Sequence, residues 1–439
     1  MRRQSVLRFA GLATAALLAA GVLTSCSSSG GNSDSKAGND SGGSKTLHVT
    51  LANHVWTDVI RKDIPQFEKK TGLKVVVNQL SEDQLEDAYK VKLNAGSSDV
   101  DVMMYRPLQV GKLFAKSGYF EDLGSDVKSD SNWDWKDYQK GPVNVTTYKG
   151  KVVGVPIITE TEVLYYRKDL LQKAGLSVPT TLPELEADAK KLNNIEPGVA
   201  GFVARTQASA AVTQFSSFLY SYGGDFIKGN DKSGVGSDAA KKAYAFYGGL
   251  IHDDGPAKVS TDMSWPEAMA IFTQGNAAFY TEASSLYANA TDPTKSKVAD
   301  KVGFAAFPAG PAGSKAYNVA AWALGINSAS KNKSNAWKFI HWASSKAMAL
   351  KLQKAGVPSA RTSVWSNPAG TAELPKDLAA AIAKNGKNGV GHDRPLVVGV
   401  DQAREIVGTP IVTAITGGDV DAAATKADKD FQDLLDSEK

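Results

Sequence analysis

Residues 46–77 read TLHVTLANHVWTDVIRKDIPQFEKKTGLKVVV, and the spacing of their apolar side chains changes twice. Leu47, Val49 and Leu51 alternate with polar neighbours, the two-residue period of a strand. Ile60, Ile64 and Phe67 then share one face of a helix that begins near Thr57, with Lys69-Lys70 before Gly72 as its stop. Pro65 lacks the N–H that a helix interior needs and argues against an unbroken helix. Leu73 to Val77 forms a second strand. Strand, helix and strand in this order begin an α/β layer.

The alternation continues outward. Ser81 and Gln84 form a capping box ahead of a helix carrying Leu85, Tyr89 and Leu93, and Val100 to Met104 is a short strand before Tyr105-Arg106-Pro107. Further on helices dominate. Thr181 with Glu184 and Ser264 with Glu267 are two more capping boxes, the second opening a helix that stops at Gly275. Pro308 to Gly313 is a break before the apolar strand Ala320 to Ile326, and Lys333 to Ala349 predicts one helix. No repeat appears at the periods of solenoids or propellers. The expected class is α/β, a sheet with helices on both faces.

The N-terminus predicts an address. Met1 to Arg8 is basic, Phe9 to Leu23 is apolar but short for a membrane span, and Leu23-Thr24-Ser25-Cys26 resembles a bacterial lipobox. That resemblance implies removal of residues 1–25 as a signal peptide and a diacylglycerol on the Cys26 thiol. Arg2-Arg3 resembles a twin-arginine export signal, but a general-secretion signal is also basic there, so the route stays open. From Ser27 to Lys45 the chain is Ser, Gly, Asn, Asp and Lys with one Ala, so residues 26–45 have the composition of a flexible linker behind the cysteine, spanning roughly 25 Å.

Composition excludes several functions. The 439 residues are 42% hydrophobic and 22% charged, enough for two or three domains with full cores. The net charge is +4, and loss of Arg2, Arg3 and Arg8 leaves about +1, which gives no electrostatic case for nucleic acid. Cys26 is the one cysteine, so no internal disulfide forms. The histidines 48, 54, 252, 341 and 392 are scattered without ligand spacing, and no phosphate-cradling glycine motif is present, so no metal and no cofactor are expected.

Several stretches together resemble the extracellular solute-binding proteins of ATP-driven carbohydrate importers, the maltose-binding-protein-like group. They are Phe67 to Val75, Gly150 to Pro156 followed by Leu164 to Leu171, Phe272 to Ala278, Ala320 to Ser328, and Gly356 to Arg361. The resemblance implies a two-lobed periplasmic-binding-protein-like fold with a hinge and an interlobe ligand cleft. Residues 46–157 and 309–345 would form the N-terminal lobe, and 158–308 and 346–439 the C-terminal lobe. Function would be capture of a sugar by a monomer, anchored by lipid to the outer face of the cell membrane, and its delivery to the membrane permease subunits of the importer.

A sugar pocket needs flat aromatic faces and planar, two-pronged polar groups. The candidates are Asn53, His54 and Trp56 after the first strand, Tyr105 and Arg106 after the third, Glu160 on the first crossing, Glu282 and Ser284 after Ala277 to Tyr280, Trp322 on the returning strand, and Trp265 and Arg361. Several also have a plain reading. Trp56 and Trp322 would serve as core, Tyr105 as a strand edge, Arg106 as a surface ion pair, and Glu160 or its competitor Glu162 as a solvated hinge charge. Pro107-Leu108-Gln109 stands where maltose-type relatives have an aspartate, which puts maltodextrin in doubt; Arg404-Glu405, where some place aromatics, argues for a smaller ligand. Alternatives within the fold are a polyamine, an iron complex, a phosphorylated glycerol ester or a peptide. A secreted glycosidase would need paired carboxylates in a catalytic frame, and none is recognisable.

Overall fold

The computed structural model describes residues 44–439; the expected signal segment, Cys26 and the linker up to residue 43 lie outside the described residues. Eight strands carry the architecture: β1 Thr46–Ala52, β2 Lys74–Leu80, β3 Val102–Tyr105, β4 Val155–Arg167, β5 Ala200–Val203, β6 Ala277–Ala283, β7 Val302–Ala306 and β8 Asn318–Ile326. β1 pairs in parallel with β2 and β3, and β8 runs antiparallel to β3. The first half of β4 pairs with β8, from Val155 opposite Leu324 to Thr161 opposite Asn318. Its second half leaves that sheet. Val163 to Tyr166 then lies between β6 and β7, both antiparallel to it, and β6 carries β5 in parallel on its far side.

One strand therefore belongs to both lobes, and the sequence VPIITETEVLYYR shows why it can. β-branched and aromatic residues fill it, and all of it is buried except Glu160 and Tyr166, which are half-buried. Leu47, Trp56, Ile60, Tyr105, Val155 and Leu324 belong to the first core; Leu164, Phe202, Phe215, Tyr247 and Ile411 belong to a second. Met348, Leu352, Val357 and Ala360 still pack in the first core, and Leu378 and Ala381 pack on β7 and β6 residues of the other lobe. Between Ala360 and Leu378 the packing thus changes from the first cluster to the β6 and β7 side.

Local chemistry explains most element ends. α1 (Val55–Thr71) starts two residues before Thr57 because His54 is its cap: Trp56 N–H donates to His54 Nδ1 at 3.0 Å. Helix α1 also runs through Pro65, which sits on the exposed face, where water can take the carbonyl that proline leaves without a donor. Gly72 ends it with φ 70°. Capping boxes at Ser81 and Thr181 open α2 (Glu82–Asn94) and α3 (Leu182–Leu192). Behind β5 follow α4 (Ala208–Ser221) and α5 (Trp265–Thr273). The helix expected over Lys333–Ala349 is two, α6 (Lys333–Ala343) and α7 (Lys346–Lys354), because Ser345 caps the second by accepting from Met348 N–H at 3.3 Å. The chain closes with α8 (Lys376–Asn385), α9 (Val400–Ile415) and α10 (Val420–Ser437). Among the described residues no helix is long and apolar enough to cross a membrane.

Gly154 marks the tightest approach beneath the crossing. A Cβ there would lie 2.3 Å from the hydroxyl of Tyr105, which is fully buried and donates to Val153 O at 3.3 Å. We expect Gly154→Ala to lower stability in urea by about 1–3 kcal/mol, from overpacking. Tyr105→Phe removes the clashing oxygen, so the double variant should recover part of that loss; a loss unchanged in the double variant would place the strain elsewhere.

Candidate functional site: an interlobe cleft over the crossing strands

The floor of the cleft is made where β4 and β8 lie side by side. Register between them slips at Ala320/Trp322 and again at Trp322/Ala323. Such irregularities re-aim side chains, and the cavity lies beside them: Val319, Ala320, Ala321 and Trp322 from β8 line it, with Ile158 and Glu160 from β4. The cavity holds about 470 Å³, within the range of small-ligand sites. His54 and the residues after β3 form the first-lobe wall; Arg205, Thr213, Ser285, Asp393, Arg394 and Arg404 form the opposite one.

On the first-lobe wall His54 is both cap and cleft residue. Because Nδ1 accepts from Trp56, the neutral ring carries its proton on Nε2. Its ring meets Trp322 edge-on at 6.3 Å, and burial lowers its pKa to about 4 against a smaller opposing pull from Asp58. Trp322 is only 5% exposed, yet its surface is part of the floor. Arg106 is held by two acids of α2: Nε and Nη2 donate to Glu86 Oε1 at 2.8 and 2.6 Å, and Nη1 donates to Glu82 at 2.7 Å.

The second-lobe wall repeats this design with more burial. Arg205 grips Glu282 with two hydrogen bonds of 2.8 and 2.5 Å, and Tyr280 donates to the same carboxylate at 2.7 Å. Burial works against the Arg205 charge, but Glu282 outweighs it and holds the guanidinium pKa above its ordinary value. Arg394 folds back on its neighbour Asp393, with Nε and Nη2 each 2.7 Å from a carboxylate oxygen. Burial opposes the Asp393 charge, and Arg394 beside it keeps the pKa well below the carboxylate range. Arg404 donates to Ser209 O at 2.8 Å and to Thr213 Oγ1 at 3.3 Å; burial, then the neighbouring Arg394, brings it down to about 9. Glu160 takes a 2.7 Å bond from Ser285 Oγ, and burial pushes its pKa upward, with Asp393 and Glu282 adding to the shift.

Of the residues singled out in the sequence, His54, Arg106, Glu160, Trp265 and Trp322 meet on this cavity, Trp265 at its rim with 39% exposure. Others lie elsewhere. Asn53 is exposed and donates its N–H to Leu80 O. Trp56 and Tyr105 are fully buried in the first core, Tyr105 packed on Phe120. Glu282 sits behind the wall as the partner of Arg205, and Ser284 accepts from Thr161 N–H on the rear of the crossing. Arg361 is a structural cation. It lies 4.2 Å over Tyr138 and 4.9 Å over Trp133, and it bonds Asp137 and Ser344 O. Glu162, the competing carboxylate, is wholly buried, and burial raises its pKa well above the usual value. The sequence reading missed Arg205, Ser285, Asp393 and Arg394. Only the dense polar run His392-Asp393-Arg394-Pro395 carried any signal, and nothing in it said which wall it joins. Among the described residues no three His, Cys, Asp or Glu converge as a metal site.

A cavity between two α/β lobes, floored by the strands that join them, is the ligand site of a binding protein that closes on its solute. The chain belongs to the bacterial extracellular solute-binding protein family, whose match covers residues 53–350. Among its relatives is a Deinococcus radiodurans protein named "Probable ABC transporter-binding protein", 31% identical over 296 residues, 65% of this chain and 68% of that one. A mannitol-binding protein of Pseudomonas aeruginosa is 28% identical over 338 residues, 74% and 76% of the two chains. The solved structure of an ABC transporter solute-binding protein from Agrobacterium radiobacter K84, in complex with ribitol, superposes with a TM-score of 0.75. It has 29% identity over 89% of this chain and 98% of that one.

Two outcomes follow from these charges. Glu282→Gln leaves Arg205 buried without its carboxylate and should cost about 3–5 kcal/mol in urea unfolding, more than replacing both partners by apolar residues. A smaller loss in the single variant than in the double one would contradict this. His54 is neutral in the folded protein down to about pH 4, whereas the unfolded chain takes its proton near 6.5. Stability should therefore fall as pH drops through that window, by on the order of 2 kcal/mol. His54→Asn keeps an N-cap acceptor without the titration, so its urea midpoint should lose that part of the pH dependence.

Proposed function

We propose that this protein captures a small neutral carbohydrate, of polyol or monosaccharide size, and hands it to an ATP-driven membrane importer. One observation carries the reading: in the cleft walls Arg106 is paired with Glu82 and Glu86, Arg205 with Glu282, and Arg394 with Asp393. Planar charged groups that already neutralise one another demand no charge from a ligand. Their free edges still present rigid donors and acceptors to adjacent hydroxyls. Glu160, Thr213 and Ser285 add acceptors and hydroxyls, while Trp322 and Ile158 offer apolar surface to C–H faces. The mannitol and ribitol named for two relatives fit this chemistry and the size of the cavity.

Delivery follows from the same architecture. Ligand that touches both walls favours the shut form, and the shut form is the shape an importer's permease would recognise. Cys26 supports a further part of the proposal: export, lipidation of its thiol, and attachment of a monomer to the outer face of the cell membrane. The family is one of binding proteins, and we assign no catalytic step.

Thermal unfolding against acyclic polyols, pentoses, hexoses, disaccharides, polyamines, phosphorylated glycerol esters and peptides tests the ligand class. A carbohydrate at a hundredfold excess over its dissociation constant should add about 2.7 kcal/mol of stability. Arg205→Met should abolish that shift. Stabilisation by an amine, an anion or a peptide, with none by any neutral carbohydrate, would overturn the reading.

A further inference from the structure

Gln109 stands on the short turn Pro107–Gly111 that follows β3, in the first lobe, yet both of its side-chain bonds reach the second. Its Oε1 accepts from Arg394 Nη1 at 2.8 Å, and its Nε2 donates to Asp401 Oδ1, at the start of α9, at 2.6 Å. Gln109 and Arg394 also line the cleft. An amide can accept from a guanidinium and donate to a carboxylate at once, through two atoms set about 2 Å apart in one plane. Glutamate cannot donate to Asp401, lysine cannot accept from Arg394, and both tasks are filled here by one planar group.

The consequence for Arg394 is geometric. Asp393 holds Nε and Nη2 in a flat grip, Thr213 Oγ1 lies 3.4 Å from Nη2, and Gln109 takes one N–H of Nη1. The guanidinium is thereby fixed in plane and direction, and among the described residues Gln109 is the one hydrogen-bond partner of Nη1. That alignment is complete only when the lobes are shut, since Gln109 arrives from the opposite wall. Lys112 Nζ to Leu396 O, at 2.8 Å, bridges the same edge; it is exposed, as is the Gln109–Asp401 bond, but it does not touch Arg394.

We infer that Gln109 is a positioning residue for ligand capture: it aligns Arg394 on the cleft wall and, through Arg394 and Asp401, latches the two lobes shut. The role in capture rests on the carbohydrate-binding reading above; the latch itself is a contact between protein groups and can be read without any ligand.

The test is a charge-compensated exchange. Gln109→Glu still accepts from Arg394 but sets a carboxylate against Asp401. Asp401→Asn alone can still accept from Gln109, and in the double variant the amide it introduces can donate to the new carboxylate. Spin labels on Asp87→Cys in the first lobe and Gln402→Cys in the second, in a Cys26→Ser background, report the interlobe distance of each ligand-free protein. Gln109→Glu should shift the shut-to-open ratio toward open by roughly tenfold, Asp401→Asn by less than about threefold, and the double variant should return to within about threefold of the parent. Circular dichroism confirms that each variant is folded.

A Gln109→Glu protein as shut as the parent, or a double variant as open as Gln109→Glu, would overturn the latch. Dissociation of D-mannitol, or of whichever carbohydrate stabilises the parent, should accelerate in Gln109→Glu and recover in the double variant. Acceleration without recovery would mean that Gln109 touches the ligand directly and would overturn the positioning role. If the parent binds no carbohydrate, the proposed function fails, and the ligand-free distances still decide the latch.

Discussion

Val155–Arg167 is one unbroken strand that pairs with β8 at its first end and with β6 and β7 at its second. Backbone hydrogen bonds in two sheets fix it, so the lobes cannot separate by unpairing it without exposing a buried ladder. Turning about it keeps both ladders intact. The cleft, the rear of the crossing and the separation of two hydrophobic cores all follow from that shared strand. The apolar faces on either side of it belong to different clusters.

Placing a site over such a strand sets an electrostatic problem. Glu160, Arg205, Glu282, Asp393, Arg394 and Arg404 lie near one another in a poorly hydrated space, where an isolated charge is costly. The structure answers with two-pronged pairs for Arg205 with Glu282 and Arg394 with Asp393, and it leaves Glu160 with a serine partner and a raised pKa and Arg404 with a carbonyl and a hydroxyl and a lowered one. The same pairs that make burial tolerable present rigid hydrogen-bonding edges. Stability and recognition therefore rest on the same groups, and changes there should register in both.

Much of the fold was legible in local patterns. The periods of residues 46–77 marked β1, α1 and β2, and the boxes at Ser81, Thr181 and Ser264 opened helices where expected. Pro65 misled because a local rule takes no account of which helix face is wet. Ser345 was overlooked inside an apolar run, so two helices were read as one. Of the residues singled out near strand ends, Glu160 and Trp322 line the cavity because their strands form its floor. Tyr105, Trp56 and Arg361 have the right chemistry for a pocket, and nothing in one dimension separates a pocket aromatic from a core aromatic.

The sequence by itself determined the class of elements, their order, the single cysteine and the net charge of +4, because these depend on composition and on periods of two and 3.6 residues. Tertiary structure alone decided which charges face one another. Gln109 and Asp401 are 292 residues apart, Arg205 and Glu282 are 77 apart, and Arg361 reaches back 224 to Asp137. Such partners are chosen by how two sheets close around a common strand. That choice is a matter of packing in three dimensions, to which the spacing along the chain gives no access.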